Sequence, residues 1–234
     1  MKDHTRDRLY SAYASTHAGT SIGEANRLAF EREIVPHLIF PASAAILDLG
    51  CGQGALVREF HRHGFTQARG IDISPEQVRI AHDNGITNIE LGDFRTSLGT
   101  EQLDVVTATD FLEHLTVDEV LETLDAVFTA LNPGGIFIAR TPNLASPFGG
   151  GYRYGDMTHE TSFTARSLRQ LGNTAGFRFI EVYSCPPKAH GLVSGARLAV
   201  WKVASAAMKT ALAAETGRLR GHHVTQNILA VMSR

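Results

Sequence analysis

Short apolar segments alternate with amphipathic ones along most of the chain, and this alternation predicts strands and helices in turn. The runs around residues 45–49 and 136–138 are apolar almost throughout, as strands buried on both faces are. Ser74 and Thr116 each stand three residues before a Gln or Glu, which predicts capping boxes at two helix starts. Strands alternating with helices predict an α/β fold with a mainly parallel sheet. The predicted helices are 55–63, one from Ser74 to about residue 84, one from Thr116 to about residue 131, and 165–175.

The last third of the chain predicts two more strands, separated by a long helical segment. Residues 177–183 alternate as a strand does, and residues 227–232 form one more apolar run. Between them, apolar residues at 192, 196, 199, 200, 203 and 207 have the spacing of one helix face. We therefore predict a single domain, 1–234. Its parts are an N-terminal cap segment (1–43), a core (44–141), a glycine-rich substrate loop (142–162) and a helical insertion (188–222).

Composition excludes several classes of protein. A net charge of −2 in 234 residues gives no overall electrostatic footprint for nucleic acid. The two cysteines, Cys51 and Cys185, form neither a disulfide framework nor a metal-binding spacing. The polar start of the chain does not resemble a signal peptide, and no apolar run has the length of a membrane span, so we expect a cytoplasmic protein.

A glycine loop after the first predicted strand, Asp-Leu-Gly-Cys-Gly-Gln-Gly at residues 48–54, carries the strongest chemical signal. Glycine allows positive φ and lets a nucleoside ligand approach the backbone closely. Gly50, Gly52 and Ala55 fit the G-x-G-x-x-A fingerprint of dinucleotide-binding proteins, with Asp72 near the position of their ribose-binding acid. A nicotinamide dinucleotide is therefore one candidate ligand.

The later strings favour a different ligand. Together with the glycine loop they resemble, in order, the motifs of class I S-adenosylmethionine (AdoMet) methyltransferases, in the bacterial small-molecule and glycan group of types 23 and 11. The resemblance covers about residues 44–141. It implies AdoMet as cofactor and a Rossmann-like, doubly wound sheet of seven strands with an antiparallel last strand. Dinucleotide-binding enzymes do not require the last three of these five motifs. The five strings are 48–54, 70–74, 91–94, 104–115 and 131–138.

The resemblance also implies roles for single residues. Asp48 would hold the ammonium group of AdoMet, and Asp72 would accept hydrogen bonds from both ribose hydroxyls. Asp93 would accept from the adenine amino group, with Ile73 and Phe94 covering the ring. The alternative for Asp72 and Asp93 is an ordinary aspartate at a strand end. The predicted cofactor-binding residues are Asp48, Gly50, Cys51, Gly52, Gly54, Asp72, Ile73, Asp93, Phe94 and Asp110.

Candidate catalytic residues lie in the glycine-rich loop, whose string at 156–159 resembles the Asp-x-Thr-His element of methyltransferases that often modify sugars and lipid-linked glycans. His159 is the predicted general base, because the pKa of histidine ordinarily lies near working pH, and Asp156 would orient it. Tyr152 and Tyr154 would stack on the acceptor. Alternatively, Asp156 and His159 only pin the loop by hydrogen bonds. His114 is a further catalytic candidate or a packing residue, in an Asp-x-x-Glu-His string shared with ubiquinone-type O-methyltransferases.

Methyl transfer to a hydroxyl of a sugar, glycan or other small molecule is the predicted reaction, with a quinone or phenol acceptor as the alternative. An NAD-dependent oxidoreductase and a non-catalytic AdoMet-binding protein are the other classes considered. We expect no metal site and no nucleic-acid partner, and either a monomer or a homodimer. Residues 192–209 form a helix packed on the domain, a dimer contact, or a weak contact with a membrane surface. Tyr10 and Tyr13 either close over the cofactor or anchor the N-terminal segment.

Overall fold

Residues 24–98 and 102–234 are the part of the chain that the computed structural model describes, so Tyr10 and Tyr13 lie outside it. The strands are β1 (Ile46–Leu49), β2 (Ala68–Asp72), β3 (Ile89–Leu91), β4 (Leu103–Thr109), β5 (Leu131–Pro142), β6 (Phe179–Cys185) and β7 (Asn227–Ser233). They form one sheet in the order β3-β2-β1-β4-β5-β7-β6. Strands β1 to β5 are parallel, and β7 runs antiparallel to both β5 and β6. The predicted Rossmann-like sheet with an antiparallel last strand is confirmed.

Helices follow most strands, as the alternation predicts. They are α1 (Glu24–Ala29), α2 (Ala55–Arg62), α3 (Pro75–Asp83), α4 (Phe94–Ser97), α5 (Val117–Ala130), α6 (Gly149–Arg153), α7 (Ala165–Thr174) and α8 (Leu192–Thr216). The N-terminal helix ends at Ala29, and a π-helical turn and a 3-10 turn continue the chain to His37. Strand β6 begins and ends two residues later than predicted.

One of the two predicted capping boxes forms. At the start of α5, the Thr116 side chain accepts from the backbone of Glu119, and the Glu119 carboxylate accepts from the backbone of Thr116. At the start of α3, Ser74 caps the helix by accepting from Gln77, but the reciprocal bond is missing. The backbone N–H of Ser74 donates instead to Asp72, at 2.8 Å. The prediction of a second box was therefore wrong, because a neighbouring acid takes the same donor.

The sheet separates two apolar layers. Side chains alternate between its faces, so Val106 and Phe137 lie in one buried cluster with α5 and α7. Their neighbours Val105 and Ile138 lie in the other cluster, with Phe30 before the sheet and Phe60 of α2. Helices therefore cover both faces of the sheet. In such sheets the ligand crevice lies at the carboxyl ends of the parallel strands.

The glycine-rich loop after β5 is tied to the body of the protein at several points. The side chain of buried Asn143 donates to the backbone oxygens of His223 and Thr225, just before β7. Helix α6 occupies the middle of the loop, and Arg153 at its end donates to the backbone oxygens of His159 and Glu160. The segment is thus hydrogen-bonded across its length.

Helix α8 confirms the predicted helical insertion but turns a different face to the protein. All residues of the predicted apolar stripe are exposed, Leu192 to 95% and Val203 to 73%. The residues that face the domain are Ser194, Leu198, Trp201, Ser205, Met208 and Leu212, all buried or half-buried. Helix α8 therefore packs on the domain, which was one of the three alternatives, but through a face other than the apolar stripe. None of the helices in the described part of the chain has the length and apolarity to cross a membrane.

Candidate functional site

The glycine loop between β1 and α2 adopts a conformation that other residues would not tolerate. Gly50 has φ +62°, and a Cβ placed on it would lie 2.4 Å from the ring of Phe111. Gly54 has φ +75°, and its Cβ would lie 2.9 Å from the side chains of Ile86 and Ile89. The loop therefore packs closely on its neighbours while leaving its backbone next to a cavity.

Asp48, near the end of β1, is a buried acid beneath this loop. The hydroxyl of Thr107 donates to its carboxylate at 2.7 Å. Burial raises the pKa of Asp48 to about 7, an effect that the Thr107 hydrogen bond opposes and that nearby Asp72 adds to. A cationic partner would stabilise the ionised form of such a buried carboxylate, because opposite charges attract strongly away from water.

Asp72 connects the glycine loop to the end of β2. One of its carboxylate oxygens accepts from the backbone N–H of Gly52 at 2.7 Å, and the other accepts from Ser74. Burial raises the pKa of Asp72, while these two hydrogen bonds lower it. Each carboxylate oxygen can accept a second hydrogen bond, so the predicted ribose contact is compatible with this arrangement. The next residue, Ile73, is exposed.

Asp93 and Phe94 lie at the start of α4. The Asp93 side chain caps this helix and pairs with Arg95 at 2.8 Å, and Arg95 pairs in turn with Glu119. The Phe94 ring is buried, with the edge of Phe111 on one side and the Arg95 guanidinium over it. The contact of Asp93, Ile73 and Phe94 with the adenine stays a prediction.

Two neighbouring cavities open at the carboxyl ends of β1, β4 and β5. The smaller, which we call the glycine-loop cavity, measures about 170 Å³ and is lined by Asp48, Gly50, Cys51 and Asp110 among others. The larger, the α8 cleft, measures about 980 Å³. The four residues that line both cavities are Asn26, Ala29, Glu33 and Arg140. Two ligands bound in these cavities would therefore lie against a common wall.

Charged side chains build that wall. Asp110, at the end of β4, has the left-handed φ of +52° and forms two hydrogen bonds to Arg140. Arg140 also lies 3.6 Å from the carboxylate of Glu33, which pairs with Lys188 at 2.6 Å. The two acids and two cations thus form a continuous chain of ion pairs between the cavities.

Two histidines in ring contact lie beyond Asp110, and each is hydrogen-bonded to another group. His114 and His159 meet with ring centroids 4.9 Å apart. Nδ1 of His159 lies 2.9 Å from the backbone oxygen of Tyr152, which can only accept, so Nδ1 carries the proton and Nε2 is the basic nitrogen. Thr158 links the other histidine to Asp156, because its hydroxyl contacts His114 at 2.9 Å and donates to Asp156 at 2.6 Å.

Burial shifts the pKa of two groups in this cluster, His114 and Glu113. Burial, and then the neighbouring His159, lower the pKa of His114 to about 4, so His114 is neutral at neutral pH. Burial and the charge of Asp110 raise the pKa of Glu113. Within the described residues, Glu113, His114 and His159 are the one group whose ligand atoms, all within 4.8 Å of one another, could hold a metal ion. No spacing in the sequence marks these three residues as a group.

The structure brings seven of the predicted site residues together in two groups. Asp48, Gly50, Cys51 and Asp110 line the glycine-loop cavity, whereas His114, Asp156 and His159 form the adjacent histidine cluster. Tyr152 contributes its backbone oxygen to that cluster, and the side chain of Tyr154 is exposed. Sequence reasoning missed Glu33, Glu59, Arg140 and Trp201, which line the two cavities. No motif marks these residues, because they come together only through folding.

A family model described as a methyltransferase domain matches residues 24–182, which is more than half of the chain. The chain belongs to the class I AdoMet-dependent methyltransferases. This membership confirms the predicted family and cofactor over the dinucleotide alternative.

Individual relatives agree with this placement. A ubiquinone biosynthesis O-methyltransferase from Xanthomonas axonopodis pv. citri is 34% identical over 118 residues, which is 47% of this chain and 48% of the relative. The chain thus spans about half the length of the curated relatives it matches.

Solved structures support the fold of this methyltransferase. An AdoMet-dependent methyltransferase from Archaeoglobus fulgidus matches 96% of this chain and 99% of its own, with a TM-score of 0.68 and 20% identity. Phosphoethanolamine N-methyltransferase 2 from Haemonchus contortus, solved with AdoMet, matches 97% of this chain and 57% of its own, with a TM-score of 0.62 and 15% identity.

Proposed function

We propose that this methyltransferase transfers the methyl group of AdoMet to a hydroxyl on a small molecule, and that the acceptor is a phenol-type ring with an apolar substituent. The observation that carries the proposal is the α8 cleft, which shares a wall with the glycine-loop cavity. Trp201, Val200 and Met208 give the cleft an apolar and aromatic wall. The names of the curated relatives point to the same class of acceptor.

The glycine-loop cavity fits the cationic half of AdoMet, whose sulfonium supplies an electrophilic methyl group. Glu59 lines this cavity and is 1% exposed. One of its oxygens pairs with Arg62, and the other has no hydrogen-bond partner among the described residues. A buried, unsatisfied carboxylate oxygen is costly unless a ligand approaches it. Together with Asp48, it gives the cavity the negative potential that an ammonium and a sulfonium need.

His159 is our proposed general base. Its Nδ1 proton is held by the Tyr152 backbone oxygen, so Nε2 is the nitrogen that would take the proton of the acceptor hydroxyl. Neutral His114 packs against the His159 ring and is fixed through Thr158 to Asp156. In this proposal, Asp156 and His114 are positioning residues, and the methyl and the acceptor are aligned by the two adjoining cavities.

A sugar or glycan hydroxyl is the second candidate acceptor. The observation that favours it is the built hydrogen-bond network around the Asp-x-Thr-His element, in which Asp156 accepts twice from Thr158. A sugar hydroxyl is weakly acidic and depends on a base, whereas a phenol ionises readily. The two acceptors therefore differ in how strongly turnover depends on His159.

Methyl transfer to an alkyl-substituted catechol and to a free sugar tests the proposal, with labelled AdoMet and four proteins. For the phenol, Trp201→Ala should raise KM about tenfold without changing affinity for S-adenosylhomocysteine, because an aromatic wall is lost. Val203→Ala, on the outer face of the same helix, should change neither. His159→Ala should lower kcat about tenfold to a hundredfold, and more steeply for a sugar.

Three results would contradict this assignment. Turnover of the sugar alone would favour the second candidate. An unchanged KM in Trp201→Ala would remove the acceptor from the α8 cleft. Loss of turnover in the presence of EDTA, restored by a divalent cation, would assign the Glu113–His114–His159 group to metal binding rather than to proton transfer.

A further inference from the structure

The C-terminal part of the chain is strongly cationic, although the whole chain carries a net charge of −2. Residues 182–234 contain seven lysines and arginines but a single acidic residue, Glu215. The remaining 15 basic and 23 acidic residues lie before position 182. Five of the seven lie on α8 or directly after it, at positions 197, 202, 209, 218 and 220, and this local excess of cations points to an anionic partner.

Helix α8 adds an uncovered apolar stripe to this cationic region. With 100° between successive residues, Leu192 and Val203 lie on one line along the helix, opposite the residues that face the domain. The alanines at 196, 199, 207 and 214 complete the stripe, and all are exposed. Lys202 and Lys209 lie along one edge of this surface. We call Leu192, Val203 and these four alanines the outer stripe; none of them carries a charge.

We propose that the outer stripe of α8 docks on the surface of a membrane that contains anionic lipids. An apolar helix face flanked by lysines is suited to the boundary between headgroups and acyl chains, where the lysines reach the phosphates. The 25 residues of α8 would lie about 37 Å along that boundary. A nucleic acid would match the charge but not the apolar stripe.

A second copy of the chain fits the outer stripe less well than a lipid surface does. Two such helices packed on each other would bring Lys202 and Lys209 of both copies close together. Glu215 is the one acid available on α8 to offset them. Like charges held close together in a contact are unfavourable, whereas anionic headgroups would neutralise the same side chains.

The inner face of α8, opposite the outer stripe, connects this docking to the proposed reaction. Trp201 and Met208 line the α8 cleft, so the cleft and the proposed membrane contact lie on two sides of one helix. An acceptor with an apolar substituent would reach the cleft from the bilayer along α8. Docking itself does not depend on the acceptor, and it would hold for a different acceptor class.

Sedimentation of the full chain with lipid vesicles tests the docking. Vesicles of phosphatidylcholine alone are compared with vesicles of equal parts phosphatidylcholine and phosphatidylglycerol, at low and high salt. We expect binding to the anionic vesicles, weakened by salt. Val203→Asp should lower the partition coefficient about tenfold or more, and Lys202→Gln with Lys209→Gln should lower it about fivefold per lysine.

Ile39→Asp is the matched control, because Ile39 is 90% exposed and lies far from α8 in sequence. It makes the same change of charge and should leave vesicle binding unchanged. Thermal unfolding and S-adenosylhomocysteine binding check that every variant is folded.

Two outcomes would overturn the proposal. One is that the wild type stays in the supernatant with anionic vesicles. The other is that light scattering shows a dimer that Val203→Asp separates, while vesicle binding is the same for both lipid compositions.

Discussion

Replacing Asp48 with asparagine should make the cofactor-free protein more stable and, at the same time, weaken its binding of S-adenosylhomocysteine. Burial raises the pKa of this carboxyl from 3.8 to about 7. In the unfolded chain the group ionises near its ordinary pKa, whereas in the folded protein it retains its proton until a higher pH. Asparagine has nearly the same shape, and its side-chain oxygen can still accept from Thr107.

The sign and size of the effect follow from proton linkage. Between pH 3.8 and about 7 the unfolded chain binds fewer protons at this position than the folded protein, so stability falls as pH rises through that window. The penalty reaches about 1.5 kcal/mol near pH 5 and about 4 kcal/mol near pH 8. Asp48→Asn removes it, so the gain in unfolding free energy should grow by about 2–3 kcal/mol between these two pH values.

Urea unfolding at the two pH values measures the gain, with Asp125→Asn on the exposed face of α5 as the control. The control should change stability by less than about 0.5 kcal/mol at either pH. Calorimetric titration should show Asp48→Asn binding S-adenosylhomocysteine about tenfold more weakly or worse, because a charged hydrogen-bond partner of the ammonium group is lost. Equal or lower stability of Asp48→Asn near pH 8 would refute the reasoning, since it would mean that the ionised carboxylate is well accommodated.

Two further predictions concern the walls of the cavities. Gly50→Ala places a Cβ 2.4 Å from the ring of Phe111 at a positive φ, so we expect a loss of about 1–3 kcal/mol of stability together with about tenfold weaker S-adenosylhomocysteine binding. Gly134→Ala, also at positive φ but in open space, should lower stability alone, as urea unfolding and calorimetry would show. Arg140→Met should weaken S-adenosylhomocysteine binding and raise the KM for the acceptor, because Arg140 lines both cavities. Arg79→Met on exposed α3 should change neither.

The fold was largely predictable because its signals are local. Apolar runs placed β1 and β7 within one residue, found the middle of β5 and placed β6 two residues early. The Thr116 capping box and the left-handed glycines at 50 and 54 depend on residues a few positions apart. The order of motifs then fixed the topology, since a family pattern carries the long-range pairing that local signals lack.

The walls of the two cavities were not predictable in the same way. Glu33, Asp110, Arg140 and Lys188 are separated by up to 155 positions, yet they form one chain of ion pairs. Asp110 was predicted as a site residue from its motif, but Glu33, Arg140 and Lys188 each have the appearance of an ordinary surface charge in the sequence. Only the parallel sheet, which brings the ends of β4 and β5 to the same edge, places them side by side.

Helix α8 shows why hydrophobic periodicity alone can select the wrong face. Its apolar stripe is the face that periodicity marks as buried, but every residue of that stripe is exposed, and Val200 alone among them lines the α8 cleft. Trp201 and Met208 line the cleft from the inner face, and Ser194 ties the first turn by bonds to His190 and Gly191. The inner face therefore mixes long apolar with small polar side chains, a combination that an apolar repeat does not mark. An apolar stripe left outside in this way requires either a partner or a physical reason for its exposure.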